Sequence, residues 1–244
     1  MLNIGNATTV AGFDLMDSLR SRRAVVVLAL YVAGTAAASW VFATSLQALA
    51  EVGRTAAIEQ FGSAPEDVLE QIRKSDGLHK VITRLVKDPA LATELISAHP
   101  LGLFYGGLAM VFVPILVLLT SCTSVSAEVA CGSSRFALFR TDRLSWASGK
   151  LLGQALLLAV GVVGGAAAAF LVGLGTFGVS EPLSLVLWLA KMSICAWAVG
   201  FAYLGIFTGI SQTTRSVPWT RALCFLMLMF LGVGRLVLSS RWFA

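Results

Sequence analysis

Ionic side chains are scarce in this chain. Only 13% of its 244 residues are Asp, Glu, Lys or Arg, against roughly a quarter in an ordinary soluble domain. So few charges cannot cover the surface of a soluble sphere of this size. With 57% hydrophobic residues and a mean hydropathy of +0.83, the composition excludes a soluble enzyme, a disordered chain and a disulfide-rich secreted module. Histidine is almost missing. His79 and His99 stand alone, with no partners at ligand spacing, so no metal site is assigned. The four cysteines, Cys122, Cys131, Cys195 and Cys224, fall in or beside apolar segments. None lies in the one long hydrophilic stretch, so no disulfide framework is implied and they read as small buried hydrophobes.

Catalytic signatures are absent too. There is no H-E-x-x-H, G-x-S-x-G or C-x-x-C. Gly149-Lys150 is followed by Leu151, and position 144 is Leu, so the pair does not close a phosphate-cradling loop. No catalytic residue is assigned, and the chain does not itself hydrolyse ATP. The sequence pI near 9.3 does not signal nucleic acid, because the cations cluster at the ends of apolar runs.

Those runs are what the chain has in abundance. A membrane-spanning helix needs about 20 apolar residues, and five stretches approach that length: 24–44, 101–122, 151–175, 183–210 and 222–238. Unpaired backbone groups are intolerable in lipid, so the stretches are expected to be helices. The fold class is an all-α polytopic helical bundle with five apparent spans. The first run is too long for a cleavable signal and reads as a retained anchor. Arg20, Arg22 and Arg23 precede it. Arg135, Arg140, Arg143 and Lys150 lie between the second and third runs, and Arg215 and Arg221 between the fourth and fifth. Alternating spans put all nine on one side, which places the N-terminus in the cytoplasm.

The 45–100 segment then faces outward. It carries six cations and eight anions and is expected to be helical. Ser63-Ala64-Pro65-Glu66 reads as a capping box with proline in the first turn. Apolar residues recur at helical spacing after it, and again near Val81 and Leu91. It can act as a cap over the bundle or as a docking module for an extracytoplasmic partner. Residues 1–23 include an amphipathic stretch from Gly12. Phe13, Leu15, Met16 and Leu19 can share a lipid-facing side, with Asp14, Asp17 and Arg20 away from it.

One charge interrupts a span. Lys191 costs about 2.5–3.5 kcal/mol to insert, against roughly 4–7 kcal/mol gained from the twelve Leu, Ile, Val and Phe residues of 183–210. It can snorkel outward, pair with Glu181, or line a translocation path. Gly161, Gly165, Ala169 and Gly173 form a small-residue stripe suited to packing within the chain. Pro114 is expected to kink the second span.

The segment 123–150 carries the clearest signal. Phe136 and Phe139 lie one helical turn apart, flanked by Arg135 and Arg140. Aromatic and arginine side chains are the usual anchors of interfaces. Ser126-Ala127-Glu128, then Gly132-Ser133, then Arg135-Phe136-Ala137-Leu138-Phe139-Arg140, Arg143 and the closing Gly149-Lys150 resemble the permease subunits of ABC-2-type transporters. These are the membrane halves of bacterial ABC export systems. The resemblance implies that the loop is a coupling helix docking on a separate cytoplasmic ATPase, through Glu128, Gly132, Arg135, Phe136, Phe139, Arg140 and Arg143. It also implies that ATP is bound by that partner, that the permease pairs with a second copy or a related subunit, and that it sits in the inner membrane. The stretch before Arg20 resembles the interfacial elbow helix of the family. Thr141-Asp142 stand where the family often has proline, and five spans are counted where most members have six. A membrane scaffold that assembles with an extracytoplasmic partner, without transport, is the alternative reading.

Overall fold

A computed structural model describes residues 4–61, 98–177 and 182–242, and between short turns these are helical. In order, the described helices are α1 (Ile4–Arg20), α2 (Arg22–Phe61), α3 (Pro100–Ser121), α4 (Ser124–Cys131), α5 (Ser133–Arg140), α6 (Arg143–Phe177), α7 (Pro182–Thr213) and α8 (Val217–Trp242). No strand occurs among the described residues. Among the described residues, five stretches are long and apolar enough to cross a membrane: Arg22–Val52, Pro100–Cys131, Arg143–Thr176, Pro182–Thr213 and Val217–Gly234. The all-α polytopic class expected from the sequence is therefore the observed one. The expected helices at Ser63, Val81 and Leu91, and the Glu181 partner of Lys191, lie outside the described residues.

Helix ends and apolar ends differ. Hydropathy stops the first run at residue 44, yet α2 continues to Phe61. Nothing from Ser45 to Val52 is a helix breaker, and polar helix formers such as Gln47 and Glu51 extend the rod beyond its greasy part. Likewise α6 starts at Arg143, two turns before the apolar run at 151. The Trp146 amide bonds back to the Asp142 carbonyl, so Asp142 stands just ahead of the helix, where its residue type is favoured.

The chain divides into two compact units. The first comprises Met1–Ala33, Leu108–Gly165 and Ser193–Ala244. Its interior holds Val113, Val117, Leu157, Val162, Leu204, Phe207 and Cys224, all nearly inaccessible. Glycines set its closest approaches. A Cβ on Gly161 would lie 2.9 Å from Leu28 and 3.1 Å from Leu116, and one on Gly200 2.5 Å from Val113 and 2.6 Å from Leu158. Lipid tails are as apolar as leucine, so such helices gain by close packing rather than by leaving water. The Trp197 indole N–H donates to the Ala155 carbonyl at 3.0 Å, and Arg23 donates to the Leu119 carbonyl at 3.1 Å.

The second unit comprises Gly34–Gly107 and Ala166–Met192. Here Gly102 meets Trp188, Gly106 meets Met192, and Gly173 meets Leu101 and Leu185, all below 3.0 Å from an added Cβ. Phe42 stacks on Phe104 with ring centroids 4.1 Å apart. The Gln47 amide donates to the Thr176 carbonyl. The stripe from Gly161 to Gly173 thus packs against helices of its own chain in each unit. Pro114 lies inside a continuous α3.

Helix α1 separates Asp14 from the other charges of its expected polar side. Phe13 and Met16 are exposed, as are Asp17 and Arg20, but Asp14 is buried together with Ala7 and Ala11. The small residues at 7 and 11 let α1 settle on α6, where a Cβ on Gly149 would lie 2.7 Å from the Ala7 carbonyl oxygen and one on Gly153 2.9 Å from Asp14. The inward face is the one with small side chains, and Asp14 follows them at helical spacing.

Gly200→Val should lower the thermal unfolding midpoint of the purified protein in detergent by the equivalent of about 1–3 kcal/mol, the usual cost of overpacking. Gly205→Ala, which meets open space, should not. Equal midpoints for the two variants would disprove the α3–α6–α7 packing.

Candidate functional site

The site grows out of two short helices. Helix α4 begins after Thr123, whose carbonyl accepts the Ala127 amide at 3.0 Å. It ends at Gly132, which has φ 79° and ψ 0°. This left-handed conformation costs roughly 1–2 kcal/mol with a side chain and nothing with glycine. The Gly132 amide bonds back to the Val129 carbonyl, closing α4 and turning the chain into α5. At the far end Thr141 is extended, with its amide and hydroxyl both bonded to the Ala137 carbonyl at 3.1 and 2.8 Å.

Between those two stops α5 presents its aromatics. Phe136 is 77% exposed and Phe139 86%. Arg135 and Arg143 are exposed beside them. Arg140 is the last residue of α5. Ser134 is buried and Ala137 partly so, which fixes the inward side of the helix. Two phenylalanines next to arginines on the open side form a surface suited to a protein groove.

Glu128 does not join that surface. It turns inward and accepts a hydrogen bond and ion pair from the Lys150 Nζ. Lys150 also binds Asp14 Oδ1 at 2.5 Å. The other oxygen of Asp14 accepts from the Gln154 amide at 2.6 Å, and the Gln154 carbonyl oxygen accepts from the Ser121 hydroxyl at 2.7 Å. Ser18 lies 3.3 Å from the same amide nitrogen. Lys150 and Asp14 are each 8% exposed. One ammonium thus stands between two carboxylates, and each oxygen of Asp14 has a donor. A buried charge is tolerable only when paired and hydrogen-bonded in this way.

The cluster ties α1, α3, α4 and α6 together, all within the first unit. A further bond runs from the Ser126 amide to the Ser211 hydroxyl of α7 at 2.9 Å, with both residues fully buried. Lys191 belongs to the second unit. It is exposed, and its Nζ lies 5.1 Å from the centroid of the Trp188 ring, within the range of a cation–π attraction. His99 accepts the Leu101 amide at the start of α3. Among the described residues no group of three His, Cys, Asp or Glu could hold a metal ion.

Asp14, Gln154, Ser121 and Ser18 are the residues that sequence reasoning missed. The available signal was the small-residue run Ala7, Ala11, Asp14, Ser18 at helical spacing, opposite Gly149 and Gly153. The apolar face of Phe13, Met16 and Leu19 is exposed as expected, but it does not distinguish buried Asp14 from exposed Asp17 and Arg20.

These features define the class: a polytopic α-helical membrane protein with short helices interposed between two of its spans. The family model described as "ABC-2 family transporter protein" matches residues 8–240. The chain therefore belongs to the ABC-2 transporter family and is a permease subunit of an ABC transporter. No curated protein and no solved structure matches it.

Lys150→Met should destabilise the protein by about 3–5 kcal/mol, because it leaves two partly or fully buried carboxylates facing each other without a cation. Denaturant or thermal unfolding in detergent reads this directly. A midpoint equal to that of the parent would mean that the pairs contribute nothing.

Proposed function

We propose that this permease is driven by a separate cytoplasmic ATPase that grips α5. Phe136 and Phe139, with Arg135 and Arg140 beside them, enter a groove on the motor, while Gly132 and Arg143 mark the turns at either end. Glu128 holds the segment to the bundle. The carrying observation is the exposure of both phenylalanines on a helix stopped at each end by defined backbone geometry. Aromatic side chains left open in this way need a partner or lipid, and flanking cations favour a protein surface with acidic groups.

ATP binds to the motor subunit, and the permease needs no cofactor of its own. It acts as a pair, with a second copy or a related subunit, because one bundle of five spans seldom encloses a path. Closure of two motors displaces α5 and, through it, the spans on either side, exporting cargo across the bacterial inner membrane. Phe13 and Met16 of α1 lie in the lipid interface. Lys191, exposed beside the Trp188 ring, is the charge available to a pathway. The N-terminus and α5 share the cytoplasmic side, as the short-loop cations imply.

Two measurements test this reading. Phe136→Asp or Phe139→Asp should weaken association with the ATPase at least about 30-fold, corresponding to the loss of about 2 kcal/mol at an interface hot spot, with membrane insertion unchanged. Arg140→Glu should act in the same direction. Normal co-purification of the motor with all three variants would remove the docking claim. Orientation is read from Cys131, an exposed thiol one residue before Gly132. A membrane-impermeant maleimide should label it in inside-out vesicles and not in right-side-out ones, and the reverse pattern contradicts the topology.

A further inference from the structure

Phe136 and Phe139 point away from the protein, so the force applied to α5 must leave it through its ends and its inner side. Helix α4 is the upstream end, and it is fastened twice. The Ser126 amide is bonded to Ser211 of α7, and Glu128 is bonded to Lys150 of α6. Lys150 also holds Asp14 of α1. We propose that Lys150 is a positioning residue that makes α1 and the α4–α5 segment move as one body. The inference rests on the docking reading above and adds to it the route by which α5 reaches α1.

The physical argument is about direction. Apolar packing is non-directional, and two smooth helices can slide past each other at little cost. A charge-assisted hydrogen bond fixes both distance and angle. A single ammonium bonded to carboxylates on two different helices fixes both helices to one atom. Gly149 and Gly153 keep α1 near enough for the bridge, since a Cβ at either would collide with it. The Gln154 amide holds the remaining oxygen of Asp14 and is itself held by the Ser121 hydroxyl, so the carboxylate cannot swing to another partner without losing that bond. Removing the ammonium changes the sign of the interaction: Asp14 and Glu128 then repel, and α1 and α4 are pressed apart.

The test uses the isolated full-length permease in lipid nanodiscs, so its outcome is independent of motor docking. The exposed thiols are removed by Cys131→Ser and Cys195→Ser. Spin labels are attached through Met16→Cys on α1 and Leu138→Cys on α5, both at exposed positions. The parent should give one narrow distance. Lys150→Met should shift it to longer values and lose the narrow peak. The variant Asp14→Asn, Glu128→Gln, Lys150→Met contains no charge in the cluster. Its thermal midpoint should return toward the parent, because a buried ion cluster is often replaceable by neutral groups without loss. Its distance distribution should stay broad. A merely structural role predicts instead that the narrow peak returns with the stability. If Lys150→Met does not fold, the neutral variant decides alone, with Glu128→Gln as the mildest change that must still broaden the peak. A parental narrow distance in any folded variant of this set overturns the proposal.

Discussion

A lysine largely withdrawn from water must find its counter-charges inside the protein, and Lys150 finds two. Everything at this end of the first unit is arranged to let that happen. Helix α1 lies with small residues inward because glycines on α6 admit it closely. Helix α4 stops at a left-handed glycine after carrying Glu128 to the same ammonium. Helix α6 begins early, at Arg143, so that Lys150 and Gln154 sit on a formed helix four residues apart and point to one side. None of these choices is favoured by hydropathy alone. Together they satisfy a set of buried polar groups that would otherwise destabilise the fold by several kcal/mol.

The contrast between α5 and its neighbours gives the segment its character. Inside, the charges of Lys150, Asp14 and Glu128 are matched; outside, two phenylalanines stand open with exposed Arg135 and Arg143. A surface helix that only covered the bundle would turn its phenylalanines inward and its arginines out. Here both residue types face out, while Ser134 and Ala137 face in. Family membership accounts for the presence of a motor in the system, and under the proposed reading α5 is the surface that meets it.

Much of this was legible in the sequence, for identifiable reasons. Five spans could be read because lipid demands long unbroken apolar runs, a constraint local to each segment. The aromatic patch could be read because Phe136, Phe139 and their arginines are neighbours along the chain. What escaped was non-local. Asp14 reads together with Asp17 and Arg20 as lying away from the apolar face of an amphipathic helix, since nothing nearby in sequence announces a buried lysine as its partner. The ends of α2 and α6 escaped for a different reason. Hydropathy reports where lipid contact stops, whereas a helix stops where backbone geometry or a capping residue ends it.

The two ends of the central ion pair are 136 residues apart in the chain. Ribosomes add roughly 5–20 residues per second, so roughly 7–27 s pass between synthesis of the acid and synthesis of its base. During that interval the nascent first helix carries an unneutralised carboxylate among alanines. Its final seat does not yet exist, because the glycine pair that receives it is made with the base. The helix must therefore wait at the aqueous boundary and dock late, after two hydrophobic rods have already been handed to the bilayer. Assembly of this corner is a post-insertion event, ordered by the position of one codon.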